Sequence, residues 1–226
     1  MGYYFDRTKE FEALKYEETV IYFQDVLRCY LESIRTLADA NSNVTNINSK
    51  KLNKLTVLSN MLLKNYEIHM QELEPDEGAL LQSWISLGAV LEGCLQSFLK
   101  IYYFSYADNP VRYKNGTMKS IEKLRAYDLI EYFFGGKGII KTEEFDKNNI
   151  DNIRTQRNLI HLFAGEIIDD WDSLNDSLKV VIEVLLDLIS RLPELEYEDG
   201  YVNLCDRELY NNIYSLKNKY FVLKRH

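Results

Sequence analysis

The chain has 226 residues, of which 46% are hydrophobic and 27% are charged, an ordinary composition for a soluble globular protein. Its 17 Tyr, 10 Phe and 2 Trp exclude a mainly disordered chain, because so many aromatic side chains supply the apolar area that a folded core needs. A formal net charge of −8 excludes a global basic surface for nucleic acid, so that any contact with RNA has to be local.

The content of turn-forming residues is low. Three Pro and ten Gly are few for an all-β fold, which needs many turns, so the composition favours long helices. Cys29, Cys94 and Cys205 include no CxxC pair, and we interpret them as reduced thiols in a cytoplasmic protein without a zinc site. The first fifteen residues carry several charges and do not resemble a signal peptide.

Hydrophobic periodicity predicts the order of the elements along the chain. Apolar residues recur at three- and four-residue spacings, as in amphipathic helices, and Asn-rich and Gly-rich stretches separate these segments. An Asp-Gly pair at 199–200 favours a tight hairpin turn. In chain order we predict helices at 8–40, 49–73, 75–106, 117–134, 142–163 and 171–192, a hairpin at 196–202 and a final helix over the last twenty residues. The apolar face of the first helix is expected to contain Phe11, Leu14, Ile21, Leu27, Leu31, Ile34 and Leu37.

These elements predict an all-α fold, an antiparallel helical bundle with a short C-terminal β-hairpin. We expect a helical hairpin at 1–75, a central bundle at 76–192 and a C-terminal hairpin and helix at 193–226, packed together as one compact domain. The most apolar segment, at 80–104, is interrupted by Glu92 and Lys100 among other polar residues. We therefore predict a buried core helix there and no membrane span.

One predicted helix combines residue types that could act on a phosphate. The segment 151–163 reads DNIRTQRNLIHLF, and at 3.6 residues per turn Arg154 and His161 lie on the same side, two turns apart. Arg157 and Asn158 lie between them on that side, at spacings that allow contact with His161. Two guanidinium groups beside an imidazole in an acidic protein predict a local anion site.

The run from Arg154 to His161, with six residues between the two, resembles the R-x(4–6)-H signature of HEPN domains. These all-α domains occur in bacterial toxin–antitoxin, abortive-infection and CRISPR-linked ribonucleases. The resemblance covers about 76–192, where a long apolar helix with an embedded Glu92 precedes the motif helix and a further helix follows it. Phe163 occupies the place of the tyrosine in an HxY extension that some members carry.

The resemblance implies a HEPN-like bundle that acts as a metal-independent endoribonuclease of a bacterial defence or toxin–antitoxin system. It implies a homodimer in which two motif helices face each other across a cleft, with RNA as substrate, an antitoxin or another defence protein as partner, and no cofactor or metal. We assign catalysis to Arg154 and His161, and substrate binding to Arg157 and Asn158. Which arginine is the motif arginine stays open, because Thr155 follows the first and Asn158 the second.

The role of Glu92 also has two interpretations. A glutamate within an apolar helix is expected to be paired, and its partner would be Arg154 or His161, so that it supports the site. Alternatively, its carboxylate lies at the exposed edge of the helix. Gly88 and Gly93 flank it and are expected to allow a close helix approach.

Two other classes of function compete with the nuclease. The first is a non-catalytic HEPN-like module that binds a protein partner, with the helical hairpin at 8–73 as its surface. The net charge of −8 favours this module, because binding to RNA depends on neutralising phosphates and an acidic protein does so poorly. The second is a helical bundle that binds a small molecule in an enclosed apolar pocket. A positive cleft around Arg154 and Arg157 would favour the nuclease, and an occluded His161 would favour the module.

Overall fold

A computed structural model describes residues 3–40, 47–71, 77–135, 138–140, 147–159, 168–197, 200–202 and 204–225. The helices are α1 (Lys9–Glu12), α2 (Tyr16–Ala40), α3 (Ser49–Gln71), α4 (Glu77–Ile101), α5 (Tyr103–Asp108), α6 (Ala126–Phe134), α7 (Lys147–Asn158), α8 (Trp171–Ser190) and α9 (Arg207–Tyr220). The strands are β1 (Tyr3–Arg7), β2 (Leu195–Tyr197), β3 (Gly200–Val202) and β4 (Phe221–Arg225). The predicted all-α bundle with a C-terminal hairpin is confirmed, since β2 and β3 pair antiparallel.

The core lies where α2, α4 and α8 contact one another. Helix α2 packs along α8, α3 packs along α4, and α4 also contacts α7. Trp84 and Tyr30 are among the largest fully buried side chains. Both satisfy their polar atoms, since the Tyr30 hydroxyl donates to the Cys94 carbonyl at 2.8 Å and Trp84 Nε1 donates to the Asp169 carbonyl at 3.2 Å. Such partners lower the cost of burying a polar atom.

Helix α4 contains the most apolar part of the described chain. By length and composition alone it could cross a membrane, although 61% of its most apolar window is buried within the protein. The core helix of a soluble protein passes the same test. The three cysteines are unbridged and buried, and the sulfur atoms of Cys29 and Cys205 lie 2.9 Å apart.

The first predicted helix, at 8–40, is wrong in one respect, because it divides into α1 and α2. The interruption includes Leu14, whose carbonyl accepts a hydrogen bond from Asn175 Nδ2 of α8 at 3.0 Å. This tertiary bond joins residues far apart in sequence, so local periodicity does not predict it. Ile21, expected on the apolar face, is exposed, whereas its neighbour Val20 is buried in the core of the protein.

Two further helices differ from their predicted bounds. The helix predicted to reach Tyr106 divides into α4 and α5, and the buried Tyr106 hydroxyl of α5 donates to the Lys119 carbonyl at 2.7 Å. The helix predicted from Thr117 begins only at Ala126. Thr117 instead closes a turn, where its carbonyl accepts the Tyr113 N–H at 2.8 Å. Turn hydrogen bonds of this kind compete with helix formation.

The last twenty residues are not entirely helical. Helix α9 ends at Tyr220, and β4 then pairs antiparallel with β1, in register from Tyr3 with Arg225 to Arg7 with Phe221. The sequence prediction missed both strands, because their hydrogen bonds join opposite ends of the chain. Strand β1 is further fixed to α8, since the Arg7 guanidinium donates to both carboxylate oxygens of Glu183, at 2.6 and 2.9 Å.

Candidate anion site on α7

Helix α7 is seated on the protein by three buried residues. Ile150, Ile153 and Gln156 are buried, and α7 packs against α4 and α6. Arg157 follows Ile150 by seven residues and so lies beside this buried face, whereas Asn158 is exposed. The predicted helix at 142–163 is confirmed for α7, whereas 142–146 and 160–163 lie outside the described residues, and Leu159 is in a turn.

Arg154, Arg157 and Asn158 line one open groove, as their helical spacing predicts. The groove has a volume of about 650 Å³ and an opening wide enough for solvent. Its opposite wall comes from the segment before α6 and from the start of that helix. The lining residues there are Glu122, Lys123, Leu124, Arg125, Ala126 and Tyr127.

The ion pair of Arg154 is made within its own helix. Its Nε lies 3.1 Å from Asp151 Oδ1, one helical turn away, and the two side chains are 31% and 29% exposed. Ion pairs at this spacing on a helix contribute only about 0.2 to 0.5 kcal/mol. Its guanidinium carbon lies 6.0 Å from the centroid of the Tyr127 ring, within the range of a cation–π contact. Tyr127 itself is 57% exposed, so this corner of the groove combines a cation with a free aromatic face.

Arg157 is held by a second helix. Its guanidinium forms an ion pair with Glu92 of α4, and the two side chains are only 29% and 21% exposed. The aliphatic part of Arg157 packs on Gly88, where an added Cβ would lie 2.7 Å from its Cδ. An added Cβ at Gly93 would likewise lie 2.6 Å from a methyl carbon of Leu55. The predicted role of these glycines in close helix approach is therefore confirmed.

The pairing of Glu92 corrects one sequence prediction. Its partner is Arg157, not Arg154, because Gly88 lets α7 approach α4 closely enough for the second arginine to reach the carboxylate. Glu92 is half-buried, so the alternative of a carboxylate at an exposed edge is also wrong. His161, the other predicted partner, lies outside the described residues.

A second open groove lies on the other side of this ion pair. It has a volume of about 350 Å³ and lies between α3 and α4, and Glu92 and Arg157 line both grooves. The cations around the second groove, besides Arg157, are Lys51, Lys54 and Lys100. Among the residues that the structure describes, the acids that line the two grooves are Glu92 and Glu122, and each is paired with a cation, Arg157 and Lys100 respectively. The described surface beside α7 is therefore locally positive in a protein of net charge −8.

The chain on either side of the segment 160–167 is firmly attached. Before it, the Leu159 N–H donates to the Gln156 carbonyl at 3.1 Å. After it, the Asp169 N–H donates to Gln156 Oε1 at 3.0 Å, and the Asp169 carboxylate accepts from Asn152 Nδ2 at 2.9 Å. Both sets of hydrogen bonds use α7, so the described residues on either side of this segment, Leu159 and Asp169, lie beside the motif helix.

Sequence reasoning missed Tyr127 and the basic residues of α3 and the α6 region. It considered aromatic clusters at 102–106 and 132–134 as base-stacking surfaces or packing residues. In the structure Tyr106 and the two phenylalanines at 133–134 are buried, whereas Phe104 is exposed and lies outside both grooves. Only the packing of α3 and α7 on α4, and of α6 on α7, brings the missed residues to the site, and no local pattern predicts it.

Comparisons with known proteins add no assignment. The chain matches no protein-family model, no curated protein and no solved structure. Within the described ranges, no group of three or more His, Cys, Asp or Glu side chains is arranged to hold a metal ion. The resemblance to HEPN domains therefore rests on the residues from Arg154 to His161.

Proposed function

We propose that the protein is a metal-independent endoribonuclease of a bacterial defence or toxin–antitoxin system. The observation that carries the proposal is the positive groove along α7, to which Arg154, Arg157 and Asn158 all contribute. In a protein of net charge −8 such a local concentration of cations is suited to a phosphate-bearing ligand. Its coincidence with the HEPN-like motif favours RNA over other anions.

The proposed reaction moves a proton off the ribose and another onto the leaving group. His161 removes the proton of the 2′-OH, the 2′ oxygen forms a bond to phosphorus, and the bond from phosphorus to the 5′ oxygen breaks. The leaving 5′ oxygen takes a proton from a second group, which acts as the general acid. Arg154 stabilises the negative charge that develops on the phosphate oxygens in the transition state. The products are a 2′,3′-cyclic phosphate and a free 5′-OH.

Arg157 and Asn158 complete the proposed site. A guanidinium has five N–H donors, so the ion pair of Arg157 with Glu92 leaves donors for a substrate phosphate. Asn158 is exposed at the rim of the same groove and is assigned to orient the phosphate. Glu92 holds Arg157 in place and therefore acts as a positioning residue.

The proposal includes a homodimer. One chain offers one motif histidine, whereas acid–base cleavage needs an acid and a base, and a second copy supplies the other imidazole. An antitoxin or another defence protein is the proposed partner, and the cytoplasm, where RNA is available, the proposed location.

One observation favours a second candidate, a non-catalytic HEPN-like module that binds a protein partner. Arg157 joins α7 to α4 through Glu92 and packs on Gly88, which is what a purely structural arginine would do. In that case Arg157 matters for stability, and neither arginine matters for any reaction on RNA.

Substitution of the two arginines tests the proposal. In EDTA, Arg154→Ala is expected to slow cleavage of a labelled RNA pool by about 10²- to 10³-fold, the effect of losing one donor to transition-state charge, with little change in stability. Arg157→Ala is expected to lower both cleavage and the free energy of unfolding, because it leaves the half-buried Glu92 unpaired.

Arg112→Ala is the matched control for these variants. Arg112 is exposed in the turn before α6 and donates to the Gly116 carbonyl, away from either groove. Its loss is expected to leave cleavage unchanged. Equal cleavage by wild type, Arg154→Ala and Arg112→Ala would contradict the proposal, and loss of cleavage in Arg157→Ala alone, with stability retained, would make the second arginine the catalytic one.

A further inference from the structure

We propose that the groove between α3 and α4 binds the backbone of single-stranded RNA next to the cleaved phosphate, through Lys51, Lys54 and Lys100. This inference rests on the proposed function and extends it to the substrate. It also gives a role to the N-terminal part of the chain, because α3 then supplies one half of the RNA-binding surface.

Positive charge in this groove is concentrated on α3. Lys51 and Lys54 are exposed and lie one helical turn apart on α3, so they project to the same side. Among the described residues neither forms a salt bridge. Lys100 of α4 lines the groove and forms an ion pair with Glu122, with Nζ 2.7 Å from Oε1. The two exposed lysines are thus available to neutralise successive phosphates.

This groove adjoins the proposed catalytic groove. Arg157 lines both grooves. An RNA strand bound at Arg154 therefore passes Arg157 before it reaches the α3 lysines. Glu122, which lines the catalytic groove, has a pKa below its ordinary value, mainly through its hydrogen bond to Lys100 and to a lesser extent through the field of Lys51. The positive field of α3 therefore extends into the catalytic groove.

An exposed aromatic side chain beside the cations favours a single-stranded nucleic acid. Surfaces that bind single strands combine a positive groove with aromatic side chains on which bases stack. Tyr127 is exposed beside Arg154 at one end of this surface, and the α3 lysines lie at the other. We therefore assign the surface to a single strand, with a base stacked on Tyr127 and the flanking backbone on α3.

The test compares two double variants of the same helix. Lys51→Ala/Lys54→Ala removes the proposed contacts, and Lys50→Ala/Lys64→Ala removes the same charge from exposed positions of α3 that do not line the groove. Binding of a fluorescent, cleavage-resistant 2′-O-methyl RNA of about twelve nucleotides is measured by anisotropy against salt concentration. Each lost phosphate contact lowers the salt slope by about 0.7.

For Lys51→Ala/Lys54→Ala we expect a slope reduced by about 1.4 and binding about 25-fold weaker at 0.1 M salt. The control double variant is expected to keep the wild-type slope. Equal slopes for the two double variants would overturn the inference. Displacement of the RNA by polyglutamate of equal charge would overturn it in favour of an acidic protein partner.

Cleavage of a dinucleotide separates this inference from the proposed function. A dinucleotide fills the catalytic groove alone, so Lys51→Ala/Lys54→Ala is expected to cut it at the wild-type rate while cutting long RNA more slowly. If the lysines determine binding but no form of the protein cleaves RNA, the binding surface stands and the nuclease fails. If wild type cleaves and both double variants cut long RNA equally, the nuclease stands and the α3 surface is refuted.

Discussion

His161→Ala is expected to slow RNA cleavage in EDTA by about 10²- to 10⁴-fold, the usual contribution of a positioned general acid or base. The reason is that alanine cannot take the proton of the attacking 2′-OH, while Arg154, Arg157 and the basic groove still bind the phosphate. RNA binding is therefore expected to change by less than about threefold, since imidazole contributes little to phosphate neutralisation. Single-turnover cleavage of a labelled oligonucleotide and anisotropy measure the two effects.

His69 offers a matched control for this experiment. It lies near the end of α3, where its ring stacks on Trp171 at a centroid distance of 5.0 Å, outside both grooves. His69→Phe keeps an aromatic ring in that stack and is expected to leave cleavage unchanged. A His161→Ala protein that cuts RNA at the rate of His69→Phe would show that the imidazole of His161 takes no part in the reaction.

Trp84→Ala is expected to lower the free energy of unfolding by about 3 to 5 kcal/mol, more than any other substitution proposed for this protein. Trp84 is fully buried in α4, so its removal costs both transfer free energy and a large cavity. The substitution also leaves the Asp169 carbonyl without its donor. Because domains are stable by only about 5 to 15 kcal/mol, this variant is expected to lose a large share of its free energy of unfolding in urea.

Trp84→Phe separates the two contributions. Phenylalanine fills most of the cavity but cannot donate to the carbonyl of the half-buried Asp169, so its cost is expected to be about 1 kcal/mol, the usual net contribution of one hydrogen bond. Urea unfolding followed by far-UV circular dichroism measures both variants. A loss below about 1 kcal/mol for Trp84→Ala would contradict the placement of this side chain in the core.

Much of the helical architecture was predictable because long apolar stripes recur in α3, α4 and α8. The errors occur where a distant residue competes with a local pattern. Asn175 donates a hydrogen bond to the Leu14 carbonyl where the first predicted helix is interrupted. Strand β1, at residues 3–7, pairs with β4, at residues 221–225. Hydrogen bonds between residues so far apart have no counterpart in hydrophobic periodicity.

The candidate site divides in the same way. Helical spacing predicted that Arg154, Arg157 and Asn158 lie on one side of a helix, and in the structure all three line one groove. It could not predict that Glu92 pairs with Arg157, since that choice depends on how closely Gly88 lets α4 and α7 approach. The lysines of α3 were missed for the same reason, because their position relative to α7 is set by packing between helices.

The most direct test of the proposed reaction is the chemistry of the ends left on RNA cut by wild-type protein in EDTA. The account predicts 2′,3′-cyclic phosphate and 5′-OH ends by mass spectrometry, and no cut at a position where the ribose carries no 2′-OH, since that oxygen is the nucleophile. His161→Ala protein prepared in parallel identifies any contaminating nuclease. Cleavage at the 2′-deoxy position, or 3′-OH and 5′-phosphate ends, would contradict the account.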